Sequence, residues 1–448
     1  MATDELISAI KEALATGDQA RVLSLVEQSD PGQWPAVIPQ LDESELPLLV
    51  EFLPEEELSD LLSEIEPIEA AQILRTLSHT QAADLLEAMA PDDATDVIDA
   101  LPDEQAEQIL IQMEPADAAE IRELLAFPPD SAGGIMTPGF VAISPNLRAS
   151  QAIAALQRVS EEVETMYYVY VVDEEEHLLG VLSLHRLVLT RPDTPVRDLM
   201  VTDPVRIEAN ADREAAARLL VDRNLLALPV VDTSNRLLGI ITQDDVADVL
   251  EEEATEDIER LGGSQPLDVP YRYAGISLLF RRRIFWLLLL FAAEAYTGTV
   301  MRHFEDELAQ VVALSFFIPL LIGTGGNIGS QVTTTLVRAI AVGEISLRDA
   351  RWVLAKELVV GLILGLVMAI VAFGRAQLLH VGSDVAFVIS LTILAICVWS
   401  AAVAAVLPLI INRLRIDPAV VSAPLITTLV DGTGLVIYFT IAKRLLHL

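Results

Sequence analysis

Pro424-Leu-Ile-Thr-Thr-Leu-Val-Asp-Gly-Thr-Gly434 sets a lone carboxylate inside an apolar run. Across residues 418–442 the one side chain charged at neutral pH is Asp431. A run of that length can cross a hydrocarbon core of about 30 Å at about 1.5 Å per residue. A carboxylate there costs about 2.5–3.5 kcal/mol, so it belongs in a bundle interior or on a water-filled path. Ala423, Thr427 and Asp431 fall on one helix face at i, i+4 and i+8. Gly432 and Gly434 permit close backbone approach. Hydroxyl, carbonyl and carboxylate oxygens are the ligands of a hard divalent cation. The plainer alternative is an Asp held by a neighbouring helix for packing; the oxygens beside it favour cation chemistry.

The charge of the chain is split between two regions. Residues 1–270 carry 56 acidic and 15 basic side chains, net −41. Residues 271–448 carry 10 and 14, net +4. With a mean hydropathy of +0.45, this divides the chain into a soluble acidic region and a membrane region. The acidic region argues against nucleic acid as a partner. It repels itself unless cations neutralise it, although most of these carboxylates are read as a solvated surface. Cys397 is the sole cysteine and lies in an apolar run, so neither a disulfide framework nor a zinc constellation is expected. The polar, acidic start suggests no secretory signal.

Residues 54–125 repeat every 12, in blocks beginning at Pro54, Glu66, Ser78, Ala90, Pro102 and Glu114. The eighth column reads Leu61, Ile73, Leu85, Val97, Ile109 and Ile121. Proline near the block starts, beside acidic residues, marks helix beginnings. Stacked short helices of this kind predict a right-angled helical solenoid, read as a scaffold.

A second repeat occupies residues 131–254. Met136-Thr-Pro…Val141-Ala-Ile143 recurs as Met200-Val-Thr-Asp-Pro204-Val-Arg-Ile207. Tyr170-Val-Val-Asp173…Gly180 recurs as Pro229-Val-Val-Asp232…Gly239. Each half reads strand, helix, strand, turn, strand, helix. The tandem resembles a CBS-domain pair. Such a pair either binds an adenine nucleotide such as ATP or is purely structural, and both readings stand here.

Residues 243–260 continue as one acidic helix with nine carboxylates from Asp244 to Glu259. Five spans follow, near residues 284–300 (carrying Glu294), within 308–337, 352–373, 385–411 and 418–442. The second is read as interrupted by Pro319 and by Gly323-Thr-Gly-Gly-Asn-Ile-Gly329. Five spans put nine loop Arg and Lys residues on one side and four on the other. The positive-inside rule then sets the N-terminal region in the cytosol and the C-terminus outside.

Pro319-Leu-Leu-Ile-Gly-Thr-Gly-Gly-Asn-Ile-Gly-Ser-Gln331, followed by Asp417-Pro-Ala and Pro424 through Asp431, resembles the MgtE magnesium channel/transporter family. The resemblance covers essentially the whole chain. It implies a mainly α membrane protein with four parts. These are a helical-repeat N domain (1–130), an α+β CBS pair (131–243, halves 131–195 and 196–243), a linker or plug helix (244–265) and a five-helix transmembrane domain (266–448).

The resemblance also implies a homodimer in a bacterial-type inner membrane, with the ion path flanked by spans 2 and 5 and closed by cytosolic Mg²⁺. Asp431 would be the pore aspartate, with Thr427 and Ala423 on its face; Ala423 stands where relatives are expected to carry Asn. Asp257 and Asp417 would meet at the cytosolic mouth, near the loop of Arg413 and Arg415. Regulatory Mg²⁺ would draw on Asp92, Asp96, Asp212, Glu214, Asp245, Asp248, Glu253 and Glu256. Asn224 replaces an expected acidic residue.

Two other readings remain open from the residues alone. One is a channel for another divalent cation, such as Mn²⁺, Co²⁺ or Ca²⁺. The other is a membrane-anchored nucleotide sensor built on the CBS pair. No P-loop, nucleophile–base pair or hydrolase motif is present, so no enzyme is expected.

Overall fold

The 12-residue repeat becomes six short helices: Glu55–Ser63, Pro67–Leu74, His79–Glu87, Pro91–Asp99, Asp103–Gln112 and Pro115–Leu124. The first residue of every block is the residue that caps its helix. At Ser78 the box is complete. The Gln81 N–H donates to Ser78 Oγ at 3.3 Å, and the Ser78 N–H donates to Gln81 Oε1 at 3.2 Å. Elsewhere proline opens the helix, where a missing N–H costs nothing. The helices pack on their second neighbours, Glu55–Ser63 on His79–Glu87 and Pro67–Leu74 on Pro91–Asp99. That two-row stacking buries every eighth-column residue.

The computed structural model describes residues 2–42, 44–158, 167–414 and 416–448; Arg415 of the sequence argument lies outside them. It divides into two units, Met1–Glu251 and Glu252–Leu448. The first unit holds the helical array and the CBS pair. One sheet of the pair has four strands in the order Ala142–Ile143, Tyr168–Val172, Leu178–Ser183 and Val201–Thr202. Its last strand comes from the second half of the repeat. The other sheet orders Ile207–Glu208, Ala227–Val231 and Leu237–Thr242. It receives Thr137 of the first half against Ile240.

The repeated glycines make this exchange possible. A Cβ on Gly180 would sit 2.8 Å from the Val201 carbonyl, and one on Gly239 would sit 2.8 Å from the Thr137 carbonyl. The repeated aspartates are turn residues. Asp173 Oδ1 accepts from the Glu175 and His177 N–H groups, both at 2.9 Å. Asp232 Oδ1 accepts from those of Ser234 and Arg236, both at 2.8 Å.

The linker is one helix, Gln243–Leu261, and its residues fall in both units. Among the described residues, five helices of the second unit are long and apolar enough to cross a membrane: Ile276–His303, Val312–Ala341 (its first turns 3₁₀), Leu347–Leu378, Ser383–Arg413 and Ala423–Leu446. They are spans 1 to 5 below. Each extends beyond its charge-free stretch at one end or both, because Arg and Lys stems can follow apolar surface while the charge stays in water. Spans 2, 4 and 5 supply most of the buried interior; spans 1 and 3 expose most of their surface.

The expected break in span 2 is absent. Ile318–Ala341 is a continuous α-helix. Pro319 sits in its first turn, and spans 4 and 5 close on Gly325, Gly326 and Gly329.

Ile73 is 1% exposed in the helical array. Ile73→Ala should therefore cost about 2–5 kcal/mol. A melt of the cytosolic region followed by circular dichroism should show a transition lowered by several degrees, whereas Glu104→Ala on the array surface should leave it in place.

Candidate cation path and acidic clusters

Span 5 starts at Ala423, capped by Ser422, whose Oγ accepts from the Leu425 N–H at 3.4 Å. Asp431 lies two turns on and is 7% exposed, with Oδ1 buried and lacking a hydrogen-bond partner. Thr427 lies one turn below, its hydroxyl donating to the Ala423 carbonyl at 3.0 Å. The same oxygen is 3.4 Å from Ser330 Oγ on span 2.

The glycines of span 2 explain this proximity. A Cβ on Gly326 would lie 2.7 Å from Thr427 Cγ2, and one on Gly329 would lie 2.5 Å from Ile426 Cγ2. Ser400 of span 4 steadies the same turn, donating to the Gly325 carbonyl at 2.6 Å. Spans 2 and 5 thus touch backbone to side chain along the face that carries Thr427. Oxygen groups at successive turns can receive a cation or the waters around it.

A second cluster lies in the cytosolic unit. Asp245 opens the linker helix, its Oδ2 accepting from the Thr242 N–H at 2.9 Å and hydroxyl at 2.7 Å. Burial first, and then the Asp92 charge, push its carboxyl up to about 7. Burial pushes Asp92 up to about 6, with Asp93 adding to it. Asp93 rises to about 6 for the same first reason, against Asp245 and Asp244. Asp92 and Asp245 were expected from the sequence; Asp93 was not. Its signal was its position one residue from Asp92 in the same helical turn.

At the far end of the linker, Arg260 joins two carboxylates, donating from Nη1 to Asp417 Oδ2 and from Nη2 to Glu256 Oε2, both at 2.6 Å. Asp417 Oδ1 accepts from the Ala419 N–H at 2.8 Å. Asp257 is pushed up by burial and by Asp417, and Arg260 partly offsets this. Asp257 and Asp417 thus both lie beside Arg260, and Asp417 is already paired with it. Arg260 went unrecognised in the sequence, although it is the one basic residue in an acidic helix.

Other expected regulatory residues have local tasks. Asp212 caps the helix Arg213–Asp222, accepting from the Ala215 N–H at 3.0 Å. Glu214 is paired with Arg218 on the same helix. Asn224 follows with φ 51°, a left-handed conformation that Asn tolerates well. Asp96 and Asp248 are exposed, and Glu253 is half-buried on the linker. Among the described residues, no three His, Cys, Asp or Glu side chains are already disposed to hold one metal ion.

Residues 318–441 match the MgtE divalent cation transporter family. Residues 29–130 match the MgtE intracellular N domain, and residues 132–191 and 196–252 match the CBS domain. A magnesium transporter MgtE of Thermus thermophilus is 41% identical over 336 residues, covering 75% of this chain and 74% of its own. The chain belongs to the MgtE family. The magnesium transporter MgtE of Bacillus subtilis is 33% identical over 338 residues, 75% of this chain and 74% of that one. The soluble part of a magnesium transporter superposes with a TM-score of 0.52 at 33% identity, covering 56% of this chain and 99% of that one. The cytosolic domain of the Mg²⁺ channel MgtE in complex with ATP gives 0.52 at 34% identity, covering 54% and 99%. The MgtE transporter match contains both the glycine face of span 2 and Asp431.

The acidic cluster has a pH signature in the absence of divalent cations. Asp92, Asp93 and Asp245 bind protons more tightly folded than unfolded, so they lower stability as pH rises from about 4 towards 6 to 7. Asp245→Asn should raise the melting temperature of the cytosolic region in chelator at pH 7.5. The difference should shrink as the pH falls and vanish only below about 3.8, the ordinary Asp value, where the carboxyl is protonated in both the folded and the unfolded chain.

Proposed function

We propose that this chain is a Mg²⁺-selective channel or transporter whose path passes Asp431 and which cytosolic Mg²⁺ closes. The observation that carries it is a buried carboxylate in a membrane span with an oxygen left without a partner. An acidic side chain at that depth marks an ion path by default. Mg²⁺ is small and dehydrates reluctantly, so it keeps several waters. Asp431, Thr427 and the Ala423 carbonyl can hold such an ion through its waters without stripping it. The relatives named as magnesium transporters support Mg²⁺ over Mn²⁺ or Co²⁺.

In this reading the protein is a homodimer in a bacterial inner membrane, with residues 1–265 in the cytosol and the C-terminus outside. The domains are those expected from sequence: 1–130, 131–243, 244–265 and 266–448. The relative solved with ATP supports an adenine nucleotide at the CBS pair. Regulatory Mg²⁺ binds among Asp92, Asp93 and Asp245, aided by Asp96, Asp248, Glu253 and Glu256, with Asp212 and Glu214 contributing after leaving their local partners. Bound cations remove the mutual repulsion of these groups and stabilise the closed form. The ion shifts that equilibrium only as far as its affinity differs between the two states. The linker helix carries the change towards Asp257 and Asp417.

Asp431→Ala should abolish Mg²⁺ uptake into proteoliposomes, measured with an entrapped Mg²⁺-sensitive dye and compared across divalent cations. Uptake equal to wild type would remove Asp431 from the path.

Asp245→Asn with Asp248→Asn removes two ligands and also some repulsion. A directly coordinated ion outweighs two screened repulsions. The double variant should therefore need more cytosolic Mg²⁺ to close, read as single-channel open probability in inside-out patches. A closing curve that stays in place or moves to lower Mg²⁺ would reduce these carboxylates to a solvated face.

A further inference from the structure

Span 1 carries a carboxylate of its own. Between residues 284 and 300 the one charged side chain is Glu294, and it is exposed. At that depth a carboxylate is not left against lipid. Its position relative to span 5 follows from two contacts. Trp286 Nε1 donates to Ser422 Oγ at 3.2 Å. Ten residues further along each helix, a Cβ on Gly432 would lie 2.4 Å from the Tyr296 ring and 3.3 Å from Thr297 Oγ1. Spans 1 and 5 therefore run parallel and in register. Glu294 is eight residues past Trp286, and Asp431 is nine past Ser422. At 1.5 Å per residue the two carboxylates stand within about 2 Å of the same depth.

Thr297 shares a helix face with Glu294 at i and i+3. Its hydroxyl is buried without a partner, as is Asp431 Oδ1. Two carboxylates and a hydroxyl thus stand at about one depth on two packed helices, and among the described residues Thr297 and Asp431 each hold a buried oxygen without a hydrogen-bond partner. Packing alone does not account for them: two like charges in a poorly hydrated place oppose one another. A divalent cation balances both, whereas a monovalent cation leaves one charge over.

We propose that Glu294, Thr297 and Asp431 form a divalent-cation subsite between span 1 and span 5 of one subunit, with Glu294 as the second carboxylate of the path. This rests on Asp431 belonging to the path. The ion is held directly or through its waters, for which all three side chains are acceptors.

The test is Mg²⁺ uptake by the full-length protein in liposomes, with external Mg²⁺ varied. Glu294→Gln should raise the Mg²⁺ needed for half-maximal uptake roughly tenfold, the loss of one close charge. Glu294→Asp should restore most of it. A Gln variant with wild-type half-saturation overturns the subsite, and so does an Asp variant as impaired as the Gln variant. If Glu294→Gln melts early in detergent, Thr297→Val, which keeps the volume, carries the test, and an unmoved half-saturation again overturns it. Asp431→Asn is assayed alongside. Wild-type uptake by that variant sinks the parent reading, and the subsite with it. Loss of uptake there with an unaffected Glu294→Gln sinks the subsite alone.

Discussion

A carboxylate withdrawn from water must be met by a donor, a cation or a proton. Three places in this chain are organised by that demand, each with a different answer. At the end of the linker helix the answer is a guanidinium, since Arg260 bridges Glu256 and Asp417. At the start of the same helix burial dominates, and Asp92, Asp93 and Asp245 hold their protons towards neutral pH instead. In the membrane, Asp431 keeps an oxygen that no hydrogen bond among the described residues satisfies. The first arrangement is closed and structural. The other two are open, and an open arrangement is what a transient cation needs.

The architecture serves to hold those open groups in place. Glycines let span 2 close on span 5 until Thr427 and Ser330 are within 3.4 Å. The CBS pair exchanges short strands through Gly180 and Gly239, and Thr242, at the end of Leu237–Thr242, holds Asp245 at the start of the linker helix. The helical array then needs only to present the turn at Pro91. Its repeating alanine and aliphatic columns do this with little chemistry of their own.

Much of this was legible in the sequence because local signals repeat. The block starts at Pro54 through Glu114 named the helix caps, since capping and a proline's missing N–H are properties of one turn. The paired Asp and Gly of the CBS halves were visible for the same reason. Span 2 was misread because proline and glycine break an isolated helix. Here Pro319 occupies the first turn, and Gly325, Gly326 and Gly329 are held by Ile426, Thr427 and Ile396. Side-chain partners were the least legible. The resemblance implies Asp212 and Glu214 as ligands, and nothing in the sequence shows that they also serve as a helix cap and an i,i+4 pair. Arg260 was passed over as one cation among many anions, although its position one turn past Glu256 made it their natural partner.

The linker is a single unbroken helix from Gln243 to Leu261, and that continuity fixes phase as well as distance. Each residue turns the helix by about 100°. Asp245 and Arg260 therefore leave the axis about 60° apart, a relation set by residue count rather than by any contact between them. The helix works as a key cut to one angle. An insertion of four residues in its middle would nearly preserve that angle while adding about 6 Å of length. An insertion of two would turn Arg260 to the opposite side of the helix from its present direction relative to Asp245.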